Sequence, residues 1–129
     1  MTASLESLGD EAFVSLTTFR RSGEPVSTPV WVARDGDTLV VTTPAETGKV
    51  KRIRNSGRVE LRPCTRRGKV ADDAVALQGH AVIVTGIAAD RATEEIKKKY
   101  GLEYRILQVL EPLIARGRKK RVILSITTG

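Results

Sequence analysis

One histidine, His80, and one cysteine, Cys64, stand in a chain of 129 residues. A single cysteine excludes an intramolecular disulfide and agrees with a reducing compartment. His and Cys form no cluster and the acidic residues are scattered, so no metal site is expected. A lone histidine beside Gly79, inside a strand-like segment, is hydrogen-bonded far more often than catalytic. Cys64 borders basic residues, which lower a thiol pKa, yet its only imidazole is remote in sequence and gives no nucleophile pair. Triads, P-loops and G-x-G-x-x-G patterns are missing too. The chain therefore offers little catalysis of its own.

Long apolar runs are also missing, so no membrane span is expected. The segment Met1–Asp10 is acidic and polar, unlike a secretory signal, and the expectation is a soluble cytoplasmic protein. Aromatic residues are few: two Phe, two Tyr and one Trp. Nucleic-acid binding wants aromatics interleaved with basic patches or a basic recognition helix, and only Tyr100 adjoins a lysine run, so no nucleic-acid partner is expected. The net charge of +7 attracts polyanions: nucleic acid, an anionic membrane surface or a polyanionic small ligand. Basic residues cluster at Lys49–Arg54, Arg62–Lys69, Lys97–Lys99 and Arg116–Arg121, at the ends of or between apolar segments, as on a folded surface. The length suits one domain, residues 1–129, with a core that needs no disulfide or metal.

Period-two alternation and β-branched residues predict strands over Phe13–Arg20 and Val26–Ala33, joined by the turn Ser22-Gly23-Glu24-Pro25. Pro29 marks an edge, a bulge or a broken ladder. Asp35-Gly36 is a hairpin turn, because this pair readily takes positive φ, and Thr38–Thr43 is the third strand. Arg58–Cys64 and the long Val75–Ala89 follow, with Gly79 and Gly86 as bulges or bends. Asp90 reads as the N-cap of a helix in which Ile96 and Tyr100 face inward. Tyr104–Arg116 predicts another helix, with Ile106, Leu110, Leu113 and Ile114 along one stripe and Pro112 as a flaw. Lys120–Thr127 closes the chain as a strand. Long strands with small helices at the corners predict a mainly β fold, a closed or partly closed antiparallel barrel, with part of its surface paired to a second copy.

The richest stretch is Thr42-Thr43-Pro44-Ala45-Glu46-Thr47-Gly48-Lys49-Val50-Lys51-Arg52-Ile53-Arg54. A strand ends in two threonines, a Thr-Gly turn follows, and a short helix carries four cations. Hydroxyls, backbone N–H groups at a helix start and cationic side chains together suit a phosphate or carboxylate. A solvated basic helix merely capped by its threonines has the same pattern. An anion site without acid–base machinery fits a cofactor-borne reaction, and it fits a binding protein equally.

Three segments add to this: Leu16-Thr17-Thr18-Phe19-Arg20-Arg21-Ser22-Gly23-Glu24-Pro25-Val26-Ser27-Thr28-Pro29-Val30-Trp31, then Gly48-Lys49-Val50-Lys51-Arg52-Ile53-Arg54-Asn55, then Val59-Glu60-Leu61-Arg62-Pro63-Cys64. In this order they resemble the pyridoxamine-phosphate-oxidase-like superfamily, and within it the small deazaflavin-dependent (coenzyme F420) oxidoreductases. The resemblance implies a six-stranded antiparallel split β-barrel of the FMN-binding type, a homodimer, and cofactor sites at the dimer interface. It implies that Thr42, Thr43, Thr47, Gly48, Lys49 and Arg52 hold the cofactor phosphate. Ser27, Thr28, Pro29, Val30 and Trp31 would pass beside the deazaflavin ring, and Pro63, Cys64 and Gln78 would reach it from the partner subunit. F420, a polyanion with a glutamate tail, gives the charge excess a purpose, with Lys51, Arg54, Arg66 and Arg67 as candidates for the tail. The implied activity is hydride transfer from reduced F420 to an electron-poor small-molecule substrate. FMN in the same fold and a non-catalytic F420 carrier are the alternatives.

Overall fold

A computed structural model describes residues 4–103, 105 and 121–128. Its strands are β1 (Val14–Phe19), β2 (Pro25–Val30), β3 (Ala33–Asp35), β4 (Thr38–Pro44), β5 (Arg58–Pro63), β6 (Leu77–Val84) and β7 (Arg121–Thr127). They form one seven-stranded sheet in the order β2-β1-β5-β6-β7-β4-β3, antiparallel at every pairing. The sheet curls far enough for edge strand β2 to contact β4. The result is a half-barrel.

Among the described residues, helices α1 (Leu5–Gly9), α2 (Gly48–Asn55) and α3 (Gly86–Tyr100) pack on it. Leu16, Leu39, Val41, Leu61, Leu124 and Ile126 fill the concave side, joined by Leu8 of α1 and Ile53 of α2. On the convex side Ala33, Val40 and Ile123 meet Ala92, Ile96 and Tyr100 of α3. Leu39-Val40-Val41 is thus apolar without a break because both faces of β4 are covered. No helix among the described residues is long and apolar enough to cross a membrane.

Seven strands stand where six were expected, because the stretch Val26–Ala33 is broken in two. β2 stops at Val30 and Ala33 starts a new pairing with Val40. Between them, the backbone of Val32 takes its partners from α3: its N–H donates to the Tyr100 hydroxyl at 2.9 Å, and its carbonyl accepts from Lys99 Nζ at 2.6 Å. Satisfied this way, a buried backbone can leave the ladder without an orphaned polar group.

The strand expected over Val75–Ala89 is shorter, and the helix after it begins earlier. Gly86 adopts φ +65°, a conformation that glycine reaches at no steric cost, and turns the chain into α3 directly. Thr85, not Asp90, is the N-cap residue, and Asp90 lies within the helix. The expected inward positions hold: Ile96 is 0% and Tyr100 8% exposed. Helix α1 was not foreseen. Its capping box uses Ser7 where a Glu or Gln is usual, with Ser4 as N-cap. The helix expected over Tyr104–Arg116 lies, Arg105 apart, outside the described residues.

Gly57 serves close approach, not helix termination by a left-handed residue. The C-cap of α2 is Ser56 in extended conformation, while the Gly57 carbonyl accepts the Ala81 N–H at 2.7 Å. A Cβ on Gly57 would lie 2.8 Å from the Ala81 carbonyl oxygen and 2.4 Å from His80 Cε1. The imidazole can swing away; the carbonyl, fixed in β6, cannot. Gly57→Ala is therefore expected to destabilise the fold by about 1–3 kcal/mol, the usual cost of overpacking, as read by urea denaturation.

Candidate functional site

Residues from β2, β4, α2 and β7 meet at an open cavity of about 260 Å³. One wall is apolar: Phe13, Pro29, Val30, Trp31 and Pro44. The other is polar and cationic: Thr42, Thr43, Lys49 and Arg121. The curl of the sheet makes this possible, since it brings the end of β2 against the end of β4.

The polar wall is built by register. Pro44 lies opposite Arg121 and Thr42 opposite Ile123, so the Arg121 side chain runs along β4. Its Nε donates to Thr42 Oγ1 at 3.0 Å and a terminal nitrogen donates to the Thr42 carbonyl at 3.2 Å. Thr43, only 1% exposed, has a buried hydroxyl with no hydrogen-bond partner among the described residues. A buried polar atom left so costs free energy until something meets it.

Lys49 comes from the first turn of α2 and is half-buried. Burial pushes its ammonium pKa below the ordinary lysine value, and the positive charges of Arg52 and Arg121 push the same way. Arg52 is held from below, its Nε donating to Thr18 Oγ1 at 2.6 Å. Its guanidinium folds back over Gly48, where a Cβ would sit 2.7 Å from Nη1. Three cations are thus drawn together at the start of α2. The threonine before them does not cap the helix: the Thr47 hydroxyl donates to the Pro44 carbonyl at 3.1 Å instead. That leaves the first-turn N–H groups without a side-chain cap from Thr47, and helix starts of this kind favour anions.

Of the residues expected to hold a cofactor, Pro29, Val30, Trp31, Thr42, Thr43 and Lys49 line this cavity. Thr47, Gly48 and Arg52 do not line it; Arg52 bears on it through its positive charge beside Lys49. Ser27 is turned outward, its hydroxyl 2.7 Å from that of Thr17, and the Thr28 hydroxyl is buried without a partner among the described residues. Pro63 ends β5 and Gln78 donates to Glu60 at 3.1 Å; neither lines the cavity of its own chain. Cys64 departs from expectation: its thiol pKa is raised, by burial and then by the Glu11 carboxylate. Neighbours in sequence are basic, but the neighbour in space is acidic.

Arg121, Phe13 and Pro44 were missed as site residues. The one signal for Arg121 was its place in a basic cluster just before an apolar strand, and only the β4–β7 register turns that into a ligand position. Chemically, the ionisable groups lining the cavity among the described residues are Lys49 and Arg121, both cations. The site can bind an anionic group, exclude water from a flat apolar one, and donate hydrogen bonds. Among the described residues, no carboxylate or imidazole lines it.

Comparison with other proteins agrees with this architecture. No curated protein matches the chain significantly. A conserved hypothetical protein from Mycobacterium tuberculosis is similar with a TM-score of 0.67 and 22% identity, over 99% of this chain and 81% of that one. An F420 reductase is similar with a TM-score of 0.61 and 19% identity, over 100% and 96%. The heme storage protein HutZ from Vibrio cholerae is similar with a TM-score of 0.65 and 10% identity, over 100% and 92%. Such identities speak for the fold alone, and proteins with different ligands share it. The family model for pyridoxamine 5′-phosphate oxidase, however, matches residues 2–128. A match across nearly the whole chain, on a curled antiparallel sheet, makes this protein a member of the pyridoxamine 5′-phosphate oxidase family.

Proposed function

We infer that the protein is an F420-dependent reductase, acting on an electron-poor organic substrate. The observation that carries this reading is the pairing of like-charged Lys49, Arg52 and Arg121 with the orphaned Thr43 hydroxyl, beside an apolar wall of Pro29, Val30 and Trp31. A phosphate fits there. It would relieve the repulsion among the cations and accept a hydrogen bond from Thr43, while a planar ring would cover the apolar wall. When bound, reduced F420 supplies the hydride. The chain's part is to hold the phosphate with Lys49 and Thr43, orient the ring against Val30 and Trp31, and keep water from the reacting face.

The further cations favour F420 over a ligand with one phosphate. Lys51 and Arg54 are exposed on α2, and Arg66 and Arg67 are exposed beyond β5. Arg66 lies over the ring of Phe13, 5.3 Å from its centroid, and pairs with the Glu103 carboxylate at 3.6 Å, an acidic partner that a ligand's tail would replace. A homodimer belongs to this reading. Pro63, Cys64 and Gln78 do not line their own chain's cavity, so a contact with the ligand would come from a second copy.

FMN is the second reading, favoured by the fact that the three cations at α2 are sufficient for one phosphate. A carrier that binds F420 without turnover is the third, favoured by a lining whose ionisable groups, among the described residues, are the cations Lys49 and Arg121. Titration of the purified protein with F420 and with FMN, followed by fluorescence at low and moderate salt, separates them. Micromolar F420 binding with weaker FMN binding is expected, together with oxidation of reduced F420 by an electron-poor acceptor. FMN preference would replace the chemistry, F420 binding without turnover would leave the carrier, and binding of neither would overturn the reading.

A further inference from the structure

We propose that Tyr100 is a positioning residue that clamps Trp31 as a fixed wall of the cavity. The inference rests on the cavity being the ligand site. Tyr100 does not line that cavity; it stands behind Trp31. The two rings are stacked, with centroids 4.4 Å apart and planes within 9°. The phenol is itself pinned: it accepts the Val32 N–H at 2.9 Å and reaches the carbonyls of Ala12 at 2.8 Å and Val32 at 3.0 Å. Next to it, Lys99 Nζ donates to the carbonyls of Gly9 at 2.7 Å and Val32 at 2.6 Å, and to that of Glu11.

The positions of these acceptors give the arrangement its meaning. Ala12 precedes Phe13 and Val32 follows Trp31, and Phe13 and Trp31 are the aromatic residues that line the cavity among the described residues. One end of α3 thus ties down the backbone beside both. The helix is anchored in turn by Ala92 and Ile96, each 0% exposed. An indole left half-exposed without a stacking partner would sample rotamers on the picosecond-to-nanosecond scale. Stacked on a pinned phenol it holds one orientation, and a ligand meeting a wall already in place loses less freedom on binding.

Trp31 is the only tryptophan, so its fluorescence reports the clamp directly. Tyr100→Leu removes the stack; Tyr100→Phe keeps the ring and removes the hydroxyl. We expect Tyr100→Leu to increase acrylamide quenching of Trp31 and to weaken binding of F420 or FMN, whichever the wild type binds, roughly three- to tenfold, in line with the worth of a stacked pair. Tyr100→Phe is expected to melt at lower temperature and to fall between wild type and Tyr100→Leu in quenching and in affinity, because the stack survives while the hydroxyl's ties to Val32 and Ala12 are lost.

Equal losses of affinity in the two variants would mean a merely structural role and overturn the proposal. So would unchanged Trp31 quenching in Tyr100→Leu, or a loosened indole with undiminished affinity. If Tyr100→Leu does not fold, time-resolved anisotropy of Trp31 in the wild type decides: decay with overall tumbling supports the clamp, and a dominant subnanosecond component overturns it. Wild-type protein that binds neither F420 nor FMN would remove the functional reading, and the ligand part of this inference with it. Failure of Tyr100→Leu to alter Trp31 in a protein that binds F420 would remove the inference alone.

Discussion

Replacing Lys49 with alanine is expected to weaken F420 binding roughly 10- to 150-fold, while the melting temperature stays the same or rises. The affinity loss corresponds to about 1.5–3 kcal/mol, the worth of one hydrogen bond to a charged group. The unchanged or raised stability has a separate cause. Lys49 is half-buried beside Arg52 and Arg121, and all three influences on its pKa disfavour the ammonium. Without a bound anion, Lys49 therefore repels its neighbours, and alanine removes that repulsion. Isothermal titration and a thermal melt on the same preparation check both halves. Equal affinity in Lys49→Ala would sink the phosphate assignment. The pH dependence gives a second readout, with a definite sign. Anion binding needs the protonated amine, so wild-type affinity should be full while Lys49 stays protonated. It should decline as pH rises through a value below the ordinary lysine 10.5. Lys49→Ala should lack that component.

Leu124→Ala is expected to cost about 2–5 kcal/mol, against a total stability on the order of 5–15 kcal/mol for a domain. Leu124 is 0% exposed and sits in β7, opposite Val41 of β4 and Ile83 of β6. Fixed on both sides by ladders, the surroundings have little freedom to collapse into the vacated space, which favours the upper part of that range. Urea denaturation should show a lower midpoint with an unchanged slope. Ser125→Ala, one position along on the other face and half-exposed, should stay within about 0.5 kcal/mol. A loss at Ser125 as large as at Leu124 would contradict the assigned faces of β7.

Legibility in the chain followed the range of the interaction. The Asp35-Gly36 hairpin was readable because its cause is local: Gly36 takes φ +65°, and two residues separate the paired ends Asp35 and Thr38. Helix α2 was readable from the Thr47-Gly48 turn and the cations that follow it, again local signals. The break at Trp31–Val32 was not readable, since its cause is Lys99 and Tyr100, some seventy residues away. The early start of α3 was hidden by a β-prone sequence that Gly86 cuts short. For Cys64, adjacent arginines pointed to a lowered pKa, while burial and Glu11 raise it.

The candidate site divides along the same line. Thr42, Thr43, Gly48 and Lys49 are close in sequence and form a strand–turn–helix unit whose affinity for an anion follows from local chemistry. Arg121 completes it only because β7 pairs with β4 in one register, and a slip by one residue would turn that side chain to the other face. The apolar wall comes from β2, brought across by the curl of the sheet and, at Trp31, backed by a ring from α3. Sequence alone determined a β-rich domain with a cationic strand–turn–helix unit, because alternation, turn residues and charge act over a few positions. Tertiary structure alone decided that this unit faces an aromatic wall and a third cation, because strand register and helix docking are set by packing between segments distant along the chain.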